Sequence, residues 1–222
     1  MNNPKVAAIV PAFNEEKNIS LVLKVLLQSK ELDEIILVDD GSKDNTAMVG
    51  RQLGVMVLQL PKNIGKGGAM KQGVMATGAP IIVFFDADLV DLSMNHISQL
   101  IGPVREGMAA MCVGMRGRLF DMPKLIIAID PLMAIGGERA MRREVFEGIN
   151  QRLLDGFMVE TALNYYCIVK KLPVAYADLK GLKIIVKEKK WGILKGFANR
   201  LKMMWQMAKI RGLIIFSKNM FV

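Results

Sequence analysis

The chain has 222 residues, 52% of them hydrophobic, 23% charged and 6% aromatic, which excludes intrinsic disorder and allows one well-buried core. Its net charge of +9 is unevenly spread: residues 1–100 carry nine Lys/Arg against eleven Asp/Glu, residues 101–222 carry twenty-one against ten, and 180–222 carry eleven against Glu188 alone. A near-neutral front with a cationic tail suits an anionic surface, either nucleic acid or membrane headgroups.

Val6–Val10 is a short apolar run ended by Pro11 and reads as a buried strand. Asn14 and Ser20 are candidate helix caps, and apolar residues at 19, 22, 23, 26 and 27 follow helical spacing. Glu34–Val38 is a second strand, stopped by Asp39-Asp40-Gly41-Ser42, and Asp44/Asn45 start a helix running to about Leu53. Val55–Leu60 is a third strand; a glycine-rich loop, Asn63–Gly68, then leads into a helix near Ala69–Ala76. Pro80–Phe85 is a fourth strand ending at Asp86. Continuous apolar strands alternating with helices indicate an α/β fold with a parallel sheet covered on both faces. In such sheets ligands sit beyond the carboxyl ends of the strands, and Pro11–Glu15, Asp39–Ser42, Asn63–Gly68 and Asp86–Asp88 all fall at such ends.

Later in the chain the pattern loosens. Met111–Arg118 reads as a strand running into a basic turn, Pro123–Met133 and Phe157–Lys170 as helices, and Val174–Asp178 and Lys183–Lys187 as short strands. Gly136-Gly137 precedes Arg139–Glu147. Residues 191–211 place apolar side chains at 194, 197, 201, 204, 205 and 208, with Lys195, Arg200, Lys202 and Lys209 mostly on other sides, as in a basic amphipathic helix. The two cysteines form no CxxC pair, so a disulfide framework and a cysteine-rich zinc site are not expected. The single histidine, His96, reads as a surface or cap residue, and no nucleophilic Ser or Cys motif accompanies it, which argues against a Ser-His-Asp hydrolase. No uncharged apolar run reaches the roughly 18–20 residues of a membrane span, and the apolar stretch near the N-terminus is too short for a signal peptide. The expectation is a cytoplasmic protein, with peripheral attachment to the inner face of the cell membrane through the tail.

Asp86-Ala-Asp88 sends two carboxylates out at a strand end, where they can converge on one hard divalent cation, Mg²⁺ or Mn²⁺, with diphosphate oxygens completing the shell. An isolated pair of this kind is more often a solvated turn; the neighbouring Gly-Lys-Gly loop and second acidic strand end favour the functional reading. Asn63-Ile-Gly-Lys-Gly67 lacks the P-loop spacing but allows Lys66 and the glycine backbone to approach phosphate or base closely. A strand-end carboxylate in Asp39-Asp40 is a good acceptor for a nucleobase N–H.

Taken together, Val10–Glu16, Val38–Thr46, Asn63–Gly67 and Phe85–Leu89 stand in the order and spacing of family 2 glycosyltransferases, and over residues 6–90 the chain resembles that family. The resemblance implies a GT-A fold, a Rossmann-like, mostly parallel sheet flanked by helices, here with a basic amphipathic C-terminal helix. It divides the chain into a GT-A domain over 1–190, with a nucleotide-sugar half at 1–100 and an acceptor half at 101–190, and a basic segment at 191–222. Gly137–Phe146, the acid Glu160 within Phe157–Leu163, and Lys189–Lys195 are similar to segments of the dolichol-phosphate and polyprenyl-phosphate sugar synthases. By position, Pro11, Ala12, Phe13, Glu15 and Asp40 would hold the nucleoside, with Lys66 and Ala87 beside it. Asp86 and Asp88 would bind the metal, Arg116 would meet the acceptor phosphate, and Lys189 and Lys195 would clamp the diphosphate. Three departures stand out: Val90 replaces a glutamine that often adds a metal ligand, the long C-terminal membrane helices of many relatives have no counterpart, and the region around Gly181–Val186 lacks the histidine that soluble glucosyl-3-phosphoglycerate synthases place on the metal.

The implied reaction moves a hexose from a nucleoside diphosphate sugar, with UDP preferred to GDP, to an acceptor, first a polyprenyl phosphate at the membrane surface. A phosphate acceptor is already anionic; a hydroxyl acceptor needs a base, and Asp155 or Glu160 would serve, although each could equally be a helix cap or salt-bridge partner. The alternative acceptor is a soluble hydroxyl compound, as in the phosphoglycerate enzymes. The tail's apolar face would rest on lipid, or else on the domain or a second subunit in a homodimer. A non-catalytic nucleic-acid binder is the competing class, but the tail lacks the interleaved aromatics that stack on bases, so no nucleic-acid partner is expected. A sugar-nucleotide pyrophosphorylase would carry its glycine-rich loop after the first strand, where this chain has Pro-Ala-Phe-Asn-Glu-Glu.

Overall fold

The computed structural model describes residues 4–116, 137–149 and 158–185. The first apolar run becomes β1 (Val6–Ala12), buried at every position but Pro11, as a central strand covered on both faces must be. Helix α1 (Ile19–Gln28) follows, burying Ile19, Val22, Leu23 and Leu26 at the expected spacing. Its cap position is Asn18, whereas Ser20 lies within the helix. Asn14 is not a cap; its φ of +55° turns the chain away from the sheet. Next come β2 (Glu34–Asp39), α2 (Thr46–Gln52) and β3 (Met56–Gln59). Helix α3 (Lys66–Met75) starts three residues earlier than its glycine-rich sequence suggests, because Gly65 at φ +86° closes the loop and Gly67 is buried as part of the helix.

Strand β4 (Ile81–Phe84) is buried throughout and leads through Asp86–Asp88 into the short β5 (Leu89–Val90). Helix α4 (Met94–Arg105), absent from the sequence expectations, buries His96, Ile97, Leu100, Ile101 and Val104. After β6 (Met111–Met115) come β7 (Arg139–Arg142), α5 (Arg143–Glu147), α6 (Met158–Val169), β8 (Val174–Asp178) and β9 (Lys183–Ile184). The expected helices at 123–133 and 191–211, and the expected domain boundary near 190, lie outside the described residues.

The strands form a seven-stranded sheet in the order β3-β2-β1-β4-β7-β6-β8. Strand β7 runs antiparallel to both neighbours, while the β1–β2, β1–β4, β2–β3 and β6–β8 pairs are parallel. On one face Val6, Ala8 and Val10 pack with α1 and α4; on the other Ile9, Ile36 and Val38 pack with α3, α5 and α6. The chain leaves β1 for β2 on one side and returns to β4 on the other. That reversal opens a crevice above the carboxyl end of β1, where open α/β sheets take their ligands.

Candidate functional site

A cleft of about 510 Å³ occupies that crevice, lined by Pro11, Ala12, Phe13, Glu15, Asp40, Asn63, Gly65, Lys66, Ala69, Asp86, Ala87 and Asp88. Every residue expected in the nucleotide-sugar half therefore faces one space. The loops carrying them brace one another. The Glu15 amide donates to Thr46 Oγ1 at 2.8 Å, the Asn14 amide to Ser42 Oγ at 2.9 Å, and the Lys43 amide to Asn14 Oδ1 at 2.9 Å. The Glu15 carboxylate is buried and accepts from Asn18 Nδ2 at 2.8 Å. Gly41 has φ +71°, and a Cβ there would lie 2.6 Å from the Lys62 carbonyl carbon, so a side chain would be both strained and blocked.

Asp40 holds the glycine-rich loop: its carboxylate oxygens accept from the amides of Ile64 at 2.7 Å and Gly65 at 2.9 Å. Burial raises the Asp40 carboxyl above its ordinary value; the loop amides pull it down and the neighbouring Asp39 charge pushes it up. A carboxylate has more lone pairs than these two bonds use, so an oxygen facing the cleft can accept again. The loop delivers the N-terminus of α3 to the cleft, where the helix dipole favours an anion.

Lys66 opens α3 and stands between acids from two other elements. Its Nζ lies 2.8 Å from Asp86 Oδ1 and 3.0 Å from Glu160 Oε1. Burial opposes the Lys66 charge, yet Asp86 and Glu160 push the ammonium above its ordinary value. Burial likewise opposes the Asp86 charge, but Lys66 beside it, with Arg116 and Arg139 farther off, holds its carboxyl below the usual range. Glu160, in the first turn of α6, is buried in this ion pair, and its other oxygen has no hydrogen-bond partner among the described residues.

The Asp86–Asp88 pair sits in the turn between β4 and β5, not within a strand, so the turn and not strand alternation turns both side chains to the cleft. Strand β9 steadies this turn: Leu89 pairs with Ile184, and the Ile185 amide donates to the Asp88 carbonyl at 3.0 Å. Two hard oxygen donors suit Mg²⁺ or Mn²⁺. Among the described residues no three His, Cys, Asp or Glu side chains cluster around one metal position. Among the described residues, the oxygen donors that this turn offers to a cation are these two carboxylates.

Arg116, just past β6, lies 3.9 Å from Asp86 Oδ2 through Nη2 and 3.2 Å from Glu138 Oε2 through Nε. Sequence reasoning assigned no role to Glu138 or Arg139, although both fall inside a quoted segment; both are fully buried. Arg139 donates to the Glu160 carbonyl at 3.3 Å and to Asn164 Oδ1 at 3.4 Å, supporting α6 from behind. Burial pushes the Glu138 carboxyl up to about 7, helped by the Asp86 charge and opposed by Arg116. Gly137 makes this crowding feasible, since a Cβ there would lie 2.3 Å from Asp86 Oδ2. His96 is not a surface residue: it is buried, with Nε2 3.0 Å from the Lys180 carbonyl. Asp155, Lys189 and Lys195, the remaining expected site residues, lie outside the described residues.

Known proteins share this fold. A crystal structure of glucosyl-3-phosphoglycerate synthase from Mycobacterium tuberculosis in complex with Mn²⁺, UDP and glucosyl-3-phosphoglycerate superposes with a TM-score of 0.69 and 25% identity, covering 83% of this chain and 73% of that one. The glucosyl-3-phosphoglycerate synthase of Mycolicibacterium smegmatis is 32% identical over 108 residues, which is 45% of this chain and 36% of that protein. The dolichyl-phosphate beta-glucosyltransferase of Dictyostelium discoideum is 29% identical over 139 residues, 54% of this chain and 42% of that protein. The chain spans about half the length, or less, of the curated relatives it matches. The mixed sheet with its crevice at β1 is the GT-A arrangement of the structural neighbours. The family model described as "Glycosyl transferase family 2" matches residues 7–150, from the first strand through the Glu138–Arg139 segment, and the chain belongs to that family.

Proposed function

We propose that the protein is a metal-dependent glycosyltransferase that moves a hexose from a UDP-sugar to an acceptor carrying a phosphate, with a polyprenyl phosphate at a membrane surface as the first reading. The observation that carries the donor half is the convergence of Pro11–Glu15, Asp40, Gly65-Lys66 and Asp86–Asp88 on one cleft. UDP is preferred to GDP because the structural neighbour from M. tuberculosis is in complex with UDP and Mn²⁺.

In this reading Pro11, Ala12, Phe13, Glu15 and Asp40 bind the nucleoside. The start of α3 and Lys66 face the diphosphate, and Asp86 and Asp88 hold the divalent cation. The cation, when bound, supplies positive charge to the leaving diphosphate. Lys66 adds to that field from a fixed position and Arg116 faces the acceptor phosphate, so catalysis rests on electrostatics and orientation. The bond from the sugar C1 to the diphosphate oxygen breaks and a bond from C1 to the acceptor oxygen forms. A lipid phosphate attacks as an anion and releases no proton. The relative from D. discoideum and the cationic 180–222 segment support the lipid reading.

A second reading, transfer to the hydroxyl of a small phosphorylated acid, is favoured by the fold match to the phosphoglycerate enzyme. There the hydroxyl proton must leave to a base, and Glu160, held by Lys66 at 3.0 Å, is the described candidate.

A thermal-shift panel of UDP, GDP, CDP and ADP, each with and without Mn²⁺, tests the donor site on wild type and Asp88→Ala. The expected result is a Mn²⁺-dependent stabilisation by UDP that is lost in the variant. No shift with any nucleotide would overturn the reading. Radiolabelled UDP-glucose with polyprenyl phosphate in one arm and 3-phosphoglycerate in the other then separates the two acceptors.

A further inference from the structure

Glu138 is the least explained charge near the cleft. It is fully buried just before β7, neither carboxylate oxygen accepts a hydrogen bond among the described residues, and its ion-pair partner there is Arg116. An isolated buried carboxylate is costly, so a residue of this kind without a structural partner network calls for a reason. Backbone geometry fixes the two residues side by side. Strands β6 and β7 are antiparallel, and the Gly114 amide donates to the Glu138 carbonyl at 2.8 Å, two residues before Arg116.

Arg116 touches two carboxylates unequally. Its Nε is 3.2 Å from Glu138, its Nη2 is 3.9 Å from Asp86, and Nη1 has no hydrogen-bond partner among the described residues. Arginine and a carboxylate prefer a close, two-pronged pair. The longer distance to Asp86 Oδ2 leaves that oxygen short of such a pair.

We propose that Glu138 is a positioning residue: its carboxylate anchors Arg116 through Nε, keeping the guanidinium from locking onto Asp86 Oδ2 and so leaving that oxygen, which Lys66 does not hold, to an incoming divalent cation. The inference rests on the reading of Asp86 as a cation ligand in the donor site. Without the Glu138 charge, Asp86 becomes the nearest carboxylate to Arg116. The arginine then closes on it and competes with the metal.

The test is binding of Mn²⁺ with UDP, read from the loss of the free Mn²⁺ electron-paramagnetic signal at pH 8, for wild type, Glu138→Gln, Glu138→Asp and the double variant Glu138→Gln/Arg116→Gln. Glu138→Gln is expected to weaken binding about tenfold, with Glu138→Asp intermediate. The double variant should regain most of the lost affinity, because the competing cation is gone. A merely structural role for Glu138 would give no such recovery, and the unfolding midpoint of each variant identifies any that fails to fold. Unchanged binding in Glu138→Gln, or a double variant no tighter than it, overturns the inference while wild-type binding leaves the donor-site reading intact. Wild type that binds no Mn²⁺ with UDP overturns both.

Discussion

At the scale of single residues, Lys66 and Asp86 of the cleft belong to a chain of alternating charges: Glu138, Arg116, Asp86, Lys66 and Glu160, each within 3.9 Å of the next. Buried charges persist only when paired, and here the pairing is complete enough to keep Asp86 ionised but leaves Glu138 poorly compensated. That imbalance has a consequence for stability in metal-free protein. The Glu138 carboxyl sits near 7 in the folded chain against an ordinary 4.5. Between those values the folded state keeps a proton that the unfolded state has lost, so stability falls as pH rises through this window and levels off above it. Urea midpoints in EDTA across that range should show wild type losing stability relative to Glu138→Gln as pH increases. A constant difference between the two proteins would show that Glu138 titrates normally. The cysteines are simpler: burial pushes Cys112 up to about 12 and Cys167 up to about 11, so the native chain should resist iodoacetamide at pH 8 and react only on unfolding.

Secondary-structure elements reveal which parts of the fold are written in local sequence. Strands β1, β2 and β4 were legible because each is a continuous apolar run, and α1 because four buried residues recur at helical spacing. The cleft was legible for the same reason, since its residues are the polar clusters that end those runs. Strand β7 was not, because Arg-Ala-Met-Arg has no apolar period; Arg139 is buried through pairing with α6, a partner distant in sequence. Helix α4 was obscured by Pro103 near its end and by His96, whose burial depends on the Lys180 carbonyl. Glu138 escaped because its role follows from the antiparallel turn-back of β7 against β6, a long-range pairing that residue spacing does not encode. The same return of the chain ties α3 to α5. Arg143 donates to the carbonyls of Thr77 at 2.6 Å and Val74 at 2.9 Å, at the end of α3. These charged hydrogen bonds satisfy carbonyls that a helix leaves open and complement its negative end. Arg143→Ala should therefore lower unfolding free energy by about 1–3 kcal/mol, seen as a lower urea midpoint at unchanged slope, while leaving nucleotide binding within about twofold because the cleft lies at the other end of α3.

Over the whole molecule, charge is sorted more sharply than the fold requires. Residues 1–100 sum to nine bases against eleven acids and 180–222 to eleven bases against one acid. The near-neutral residues 1–100 supply the cleft, while the cationic segment carries far more charge than would balance them. Among the described residues no helix is long and apolar enough to cross a membrane. A surface interaction through the cationic segment would bring the chain to a lipid acceptor, and its strength would follow from electrostatics: about 1 kcal/mol for each basic residue close to an anionic leaflet. Such attraction is screened within about 10 Å at 0.1 M salt and more steeply above it. The full chain should cosediment with phosphatidylserine-containing vesicles at low salt, release as salt rises toward 0.5 M, and ignore pure phosphatidylcholine. Replacing Arg200, Lys202 and Lys209 by Gln should weaken that binding by about tenfold or more without moving the unfolding midpoint or the UDP response. Binding equal on both vesicle types would mean that apolar contact dominates. Absence of binding to either would shift the acceptor from a lipid phosphate to a soluble one, with the donor cleft unaffected.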